Sequence, residues 1–166
     1  MIKLAKLPPH LRFFAPAALV ASFGGCGLLR PAPGTWGALA ATFLGWVIAS
    51  FGGALGLLCA AALAYIMGLW ATHIWLAGDK DKDKDPASIV IDEVAGQWLT
   101  LAAAPLTLSG FALGFILFRL FDILKPHPVR WADKKLAGAQ GVMLDDILAG
   151  ILAAALLLAA QFFKLL

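Results

Sequence analysis

One stretch of the chain, from Ala54 to Ala77, contains no Lys, Arg, Asp or Glu. A helix needs about 20 apolar residues to cross the hydrocarbon core of a bilayer, and this stretch is long enough. The chain of 166 residues is 61% hydrophobic and 14% charged, whereas soluble domains are about 25% charged. The sequence therefore predicts an integral membrane protein, with residues 1–166 forming a single membrane-embedded domain.

Breaks in the apolar sequence divide it into five predicted membrane spans. Gly52-Gly53 separates the stretch above from a shorter one that begins near Trp36. The sequence from Pro105 to Gly110 suits a turn, although a single kinked helix from Val94 to Phe118 is an alternative. With the turn, the predicted spans are residues 36–50, 54–77, 86–104, 108–124 and 144–163.

The distribution of basic residues favours the turn over the kinked helix. With the turn, twelve of the thirteen Lys and Arg residues lie on one side of the membrane, and only Lys164 lies on the other. The positive-inside rule assigns the basic side to the cytoplasm. A kinked helix would instead move the residues from Arg119 to Lys135 outside.

The segment from Phe13 to Leu29 is apolar, but Pro16 and the glycines near Cys26 make it a poor spanning helix. A re-entrant or interfacial segment fits better, because irregular backbone at membrane depth must be covered by protein. The predicted fold is thus an all-α, polytopic membrane bundle of about five helices, with such an N-terminal segment and without strands.

All ten acidic residues lie between Asp79 and Asp146. The alternating Lys/Asp run from Asp79 to Asp85 is predicted to be a solvated loop, and Asp133 has no assigned role. A carboxylate at the centre of a spanning helix costs about 2.5–3.5 kcal/mol. We therefore interpret as functional the five acidic residues that border apolar spans, which are Asp92, Glu93, Asp122, Asp145 and Asp146.

Helix geometry predicts that these five carboxylates share one depth. Asp92 lies about 18 Å along its helix from Ala104, and Asp122 lies about 20 Å from Ser109, at 1.5 Å per residue. Asp145-Asp146 are expected at the start of the last helix, where the helix dipole alone would favour an acid. Adjacent carboxylates resist joint ionisation unless a cation is present, and ligation by oxygen alone favours Mg²⁺.

Basic groups near the acids indicate an anionic substrate. Arg119, Asp122 and Lys125 follow an i, i+3, i+6 spacing and share a helix face, as either a phosphate site or a charge ladder at the headgroups. Arg30 precedes a helix start at which the Gly34 and Thr35 amides suit an anion. A competing hypothesis is an ion-coupled transporter or proton channel, with the carboxylates as a relay. Another is a lipid-binding scaffold.

Four segments, in order, resemble the phosphatidylglycerophosphatase A family. They are Gly25–Gly27 with Pro33–Leu39, Ser88–Gly96, Phe118–Pro128 and Gly141–Gly150. The resemblance implies a Mg²⁺-dependent phosphatase of the bacterial inner membrane that converts phosphatidylglycerophosphate into phosphatidylglycerol. Its active site would face the cytoplasm, and its partner would be an anionic phospholipid rather than nucleic acid. His127 departs from the family pattern, which has an aromatic residue there.

The resemblance also implies roles for individual residues. Glu93 is expected to be the base or the nucleophile, with Asp92 and Asp145 as further catalytic candidates. The residues expected to hold Mg²⁺ are Asp122, Asp145 and Asp146 with one of Asp92 and Glu93, of which Asp92 is preferred. Those expected to bind the phosphate are Arg119, Lys125, Arg30 and Thr35. Attack by water and formation of an acyl-phosphate both remain open.

Overall fold

A computed structural model describes residues 3–77 and 86–164 and is mostly helical. Its helices are α1 (Pro16–Ala21), a 3₁₀ turn (Cys26–Leu28), α2 (Pro33–Ala77), α3 (Ile91–Leu101), α4 (Leu108–Leu124), α5 (Val129–Lys135) and α6 (Gly138–Phe162). Two short strands, β1 (Lys3–Leu4) and β2 (Leu29–Arg30), pair antiparallel, so the expectation of no strands is wrong. The predicted loop Asp79–Asp85 lies outside the described residues.

Two of the described helices, α2 and α6, are long and apolar enough to cross a membrane. Helix α2 turns at Gly53, whose φ of 58° and ψ of −154° are not helical, which confirms the predicted break. The outer surface carries large apolar side chains such as Phe43, Phe51 and Ile66, whereas alanines fill much of the interior. This pattern is typical of membrane helices. Passage of five helices through a bilayer stays a prediction.

The turn between the third and fourth predicted spans is confirmed. Helix α3 ends at Leu101 and α4 begins at Leu108, so the single kinked helix is wrong. The hydroxyl oxygen of Thr107 caps α4 by accepting a hydrogen bond from the Gly110 backbone N–H at 3.1 Å, which satisfies one unpaired donor of the first turn.

Helix α3 begins at Ile91, five residues later than predicted from Pro86. The intervening backbone is held by other parts of the chain. Val90 N–H donates to the Ala21 carbonyl at 2.8 Å, and the Arg30 guanidinium donates to the Ser88 hydroxyl at 3.1 Å. These tertiary contacts keep residues 86–90 out of the helix, and sequence patterns do not reveal them.

Helix α6 begins at Gly138, six residues earlier than predicted. Asp145 and Asp146 therefore lie about two turns inside the helix, so the prediction that they begin it is wrong, and the alternative explanation by the helix dipole does not apply. Gly141 belongs to the helix because it packs on the preceding backbone, where an added Cβ would lie 2.7 Å from the Leu136 carbonyl oxygen. The glycines of this region resemble breakers in the sequence but serve close packing.

The longest helix in the N-terminal segment is α1, with six residues, and it is followed by Phe23, Gly24 and Gly25 at positive φ and then by the 3₁₀ turn. A helix of this length rises about 9 Å, so the prediction that the segment is not a spanning helix is confirmed. The choice between a re-entrant and an interfacial position stays a prediction.

Helix α3 lies at the centre of the bundle, with nine of its eleven residues buried. Glycines bring its backbone against α6. A Cβ added at Gly96 would lie 2.5 Å from the Asp146 carbonyl oxygen, and one at Gly150 would lie 2.6 Å from the Gly96 carbonyl oxygen. Small residues permit such close helix approach. The acidic residues of α3 and α6 are therefore held side by side.

Candidate functional site

The first turn of α3 supplies two carboxylates. Asp92 is buried, and its Oδ1 accepts a hydrogen bond from the Glu93 backbone N–H at 3.0 Å. Glu93 is partly buried and turns towards α2 and α4. Because both acids lie at the positive end of the α3 dipole, the helix itself favours their negative charge.

Helix α6 supplies two further acids, Asp145 and Asp146, which are 5% and 3% exposed. One oxygen each of Asp92, Glu93 and Asp146 lies within 4.8 Å of the others. Three oxygens this close, drawn from two helices, match the hard ligands that Mg²⁺ prefers. These residues therefore fit a divalent cation.

Asp122 of α4 adjoins this group, because it lines the same cavity as Asp92, Glu93 and Asp146. Arg119, one turn earlier, donates a hydrogen bond to Asp122. The same Arg119 nitrogen lies 3.8 Å from Glu93 Oε1. The guanidinium thus lies between the acids of α3 and α4.

The Nε atom of Arg119 is buried and, within the described ranges, has no hydrogen-bond partner. A guanidinium offers several donors in a rigid plane. The contacts of Arg119 with the two carboxylates therefore leave this donor unused.

Lys125 ends α4 in a left-handed conformation with φ of 45°. Its ammonium group donates to Asp145 at 2.8 Å and also to Asp133 of α5. Burial lowers the pKa of Lys125, but the hydrogen bonds and charges of Asp133 and Asp145 outweigh burial and raise its pKa well above the ordinary value. Lys125 is a permanent cation beside the carboxylates, and Asp133 helps to fix it.

A cavity of about 320 Å³ opens over these groups. All five acidic residues line it together with Arg119 and Lys125, and the rest of its lining comes from the start of α2, the segment before α3 and Ile123. The lining residues are Ala32, Pro33, Gly34, Ala87, Ile89, Asp92, Glu93, Arg119, Asp122, Ile123, Lys125, Asp145 and Asp146.

Gly34 allows the start of α2 to form this part of the lining. An added Cβ would lie 2.0 Å from Glu93 Oε1 and 3.2 Å from the Arg119 guanidinium. Any side chain at position 34 would therefore displace both charged groups. From the sequence, Gly34 is predicted only to supply a backbone amide, although a glycine within a helix is itself a signal of close approach.

Two predicted phosphate-binding residues do not line the cavity. The Arg30 guanidinium donates instead to the Ala87 carbonyl and the Ser88 hydroxyl. The Thr35 backbone N–H donates to the Ala32 carbonyl at 3.1 Å. Both residues shape the segments that border the cavity.

The remaining predicted site residues all line the cavity. Both Asp92 and Glu93, of which one is expected from the sequence to hold the metal, belong to the group of three that suits a cation. Asp145, predicted as a metal ligand, is paired with Lys125. The sequence could not distinguish these arrangements, because they depend on the rotation of α3 and α6 about their axes.

The chain matches the model of the phosphatidylglycerophosphatase A family over residues 19–161. Two relatives carry the name phosphatidylglycerophosphatase A. The protein from Haemophilus influenzae is 42% identical, covering 90% of this chain and 91% of its own. The protein from Escherichia coli is 37% identical, covering 89% of this chain and 85% of its own.

A third relative, from Bacteroides thetaiotaomicron, is provisionally named a phosphatidylinositol-3-phosphatase. It is 34% identical, and the match covers 90% of this chain and 95% of the relative. No solved structure matches the chain.

Proposed function

Because the chain belongs to the phosphatidylglycerophosphatase A family, we propose that it hydrolyses phosphatidylglycerophosphate to phosphatidylglycerol and phosphate with the help of Mg²⁺. The observation that carries this proposal is a buried set of carboxylates in one cavity with Arg119 and Lys125. Carboxylates suit a divalent cation, and the two basic side chains suit a phosphate.

Asp92, Glu93 and Asp146 are the residues proposed to hold Mg²⁺, with Asp122 in the same cavity. When bound, Mg²⁺ would neutralise charge on the phosphate and on the attacking group. The proposed ligand set omits Asp145 of the sequence prediction, since Asp145 is paired with Lys125, and it includes both Asp92 and Glu93.

Arg119 and Lys125 are proposed to bind the phosphate oxygens that point away from the acids. Phosphoryl transfer depends mainly on positioning and on charge neutralisation, and both groups are held in place by carboxylates before any substrate arrives. One oxygen of Glu93 is proposed to hold Mg²⁺ and the other to accept the proton of an attacking water, while the departing alcohol oxygen takes a proton from solvent. Arg119, 3.8 Å from Glu93, would orient this carboxylate.

The proposed setting is the bacterial inner membrane, with several helices crossing it and the cavity at the cytoplasmic surface. Support comes from the apolar exterior and from the predicted clustering of cations on one side. A phosphomonoester on a lipid headgroup lies at that level. The transporter hypothesis gains no support. Five of the described acids line one cavity, and the sixth, Asp133, is paired with Lys125 at its edge, so they do not form a path for an ion across the membrane.

A direct assay tests the proposal. The purified protein in detergent is supplied with phosphatidylglycerophosphate, and free phosphate and phosphatidylglycerol are measured together. Equal release of both products with Mg²⁺, and loss of release in EDTA, are expected. Release that persists in EDTA would contradict the proposed role of Mg²⁺. The absence of release under all conditions would contradict the proposed phosphatase activity.

A further inference from the structure

A second groove, of about 400 Å³, adjoins the carboxylate cavity. Lys125 lines both the groove and the cavity, so this side chain forms their common border. The groove contains no acid among its lining residues, which are Leu124, Lys125, Pro126, His127, Arg130, Trp131, Lys134 and Lys135. It is therefore a cationic extension of the site, formed by the end of α4 and by α5.

Helix α5 is anchored so that its basic residues face outward. Val129 and Ala132 are fully buried, and they fix the helix against the bundle. Arg130, Trp131 and Lys134 are exposed as a result. The single acid of α5, Asp133, is bound to Lys125 and does not neutralise the outward cations.

The composition of the groove suits a lipid headgroup. Arg130 and Lys134 can donate charge-assisted hydrogen bonds to phosphate oxygens. Trp131 is 48% exposed beside them, and tryptophan is enriched where hydrocarbon meets headgroups. An anionic headgroup at this level would meet cations and an aromatic surface together.

We propose that this groove binds the phosphodiester of the substrate lipid while its terminal phosphate occupies the carboxylate cavity. The proposal rests on the proposed function, because it requires a lipid with two phosphates joined by a short alcohol. Lys125 lies where the two sites meet, so it contacts the substrate between its phosphates. The groove then selects lipids that carry a phosphodiester in addition to the phosphomonoester.

This selectivity has a measurable consequence. Phosphatidic acid carries a phosphomonoester but no phosphodiester, so it can use the carboxylate cavity alone. Phosphatidylglycerol carries the phosphodiester alone, so it should compete by occupying the groove. A hydrogen bond to a charged group contributes enough for about a tenfold change in affinity.

The test uses the Arg130→Ala/Lys134→Ala variant in mixed micelles of constant detergent content. Its KM for phosphatidylglycerophosphate should rise about tenfold or more, while kcat stays near the wild-type value. Its kcat/KM for phosphatidic acid should not change. The inhibition constant of phosphatidylglycerol should rise by a similar factor, and this readout does not depend on turnover of phosphatidic acid.

Lys3→Ala/Lys6→Ala is the matched control, because it removes the same charge from exposed residues outside the groove. It should leave all three quantities unchanged. Equal losses in both variants, or equal losses on both substrates, would overturn the inference and indicate general attraction to the micelle. If wild-type protein releases no phosphate from either lipid, the proposed function itself fails. If it releases phosphate but the variant matches wild type, only the groove assignment fails.

Discussion

Replacing Gly34 by alanine tests how the start of α2 positions the charged groups. The added Cβ would lie 2.0 Å from Glu93 Oε1, whereas ordinary contacts begin at 3.4 Å, so the carboxylate must retreat by about 1.4 Å. The atom that must move is the end of a flexible side chain, so the shift should cost little stability and act mainly on the position of the carboxylate. A displacement of about 1 Å in a catalytic group can lower the rate about 100-fold.

We therefore expect Gly34→Ala to lower kcat/KM by about 100-fold in the phosphate-release assay, with a folded protein by circular dichroism. Gly52→Ala is the control, since no heavy atom lies within 4 Å of an added Cβ there. It should keep wild-type activity. Alanine also favours a helix over glycine by about 1 kcal/mol, so loss of helix propensity cannot explain a defect at position 34.

A double-variant cycle identifies the clash. Glu93→Asp shortens the side chain and leaves room for the new methyl group. The loss of kcat/KM caused by Gly34→Ala should therefore be smaller in the Glu93→Asp background than in wild type, because the effects of substitutions at residues in contact do not add. An equal penalty in both backgrounds would refute the reasoning.

Three further predictions follow from the same structure. Arg119→Lys should lower kcat/KM about tenfold or more, because a single ammonium cannot replace the guanidinium between Asp122 and Glu93; unchanged kinetics would argue against its role. Arg30→Ala should lower the melting temperature and leave KM unchanged, since the Arg30 side chain is hydrogen-bonded to the segment before α3. A raised KM would instead indicate that Arg30 binds the phosphate, as the sequence predicts. A cysteine at Thr107 should react with a membrane-impermeant reagent in intact cells, and reaction only after permeabilisation would contradict the predicted orientation.

Much of the fold could be predicted from composition and local signals. The turn at Gly53 and the bounds of α4 follow from apolar length and from breaking residues. The starts of α3 and α6 could not be predicted, because they depend on tertiary contacts. Val90 is held by α1, and Gly141 packs on the Leu136 backbone.

The membership of the site could be predicted better than its geometry. Costly acids beside apolar helices indicated the five carboxylates, and all of them line one cavity. Their pairing could not be predicted, because the rotation of each helix is set by contacts such as Gly96 against α6. The roles of Gly34 and Asp133 depend on partners distant in the sequence, Glu93 and Lys125.

The most direct test of the account compares two conservative variants for release of phosphate from phosphatidylglycerophosphate with Mg²⁺. Asp146 belongs to the proposed ligand group, whereas Asp133 lies outside it. Asp146→Asn should abolish release, and added Mg²⁺ should not restore the wild-type rate. Asp133→Asn should keep activity within a few-fold of wild type, because Lys125 retains Asp145. Wild-type activity in Asp146→Asn would contradict the account.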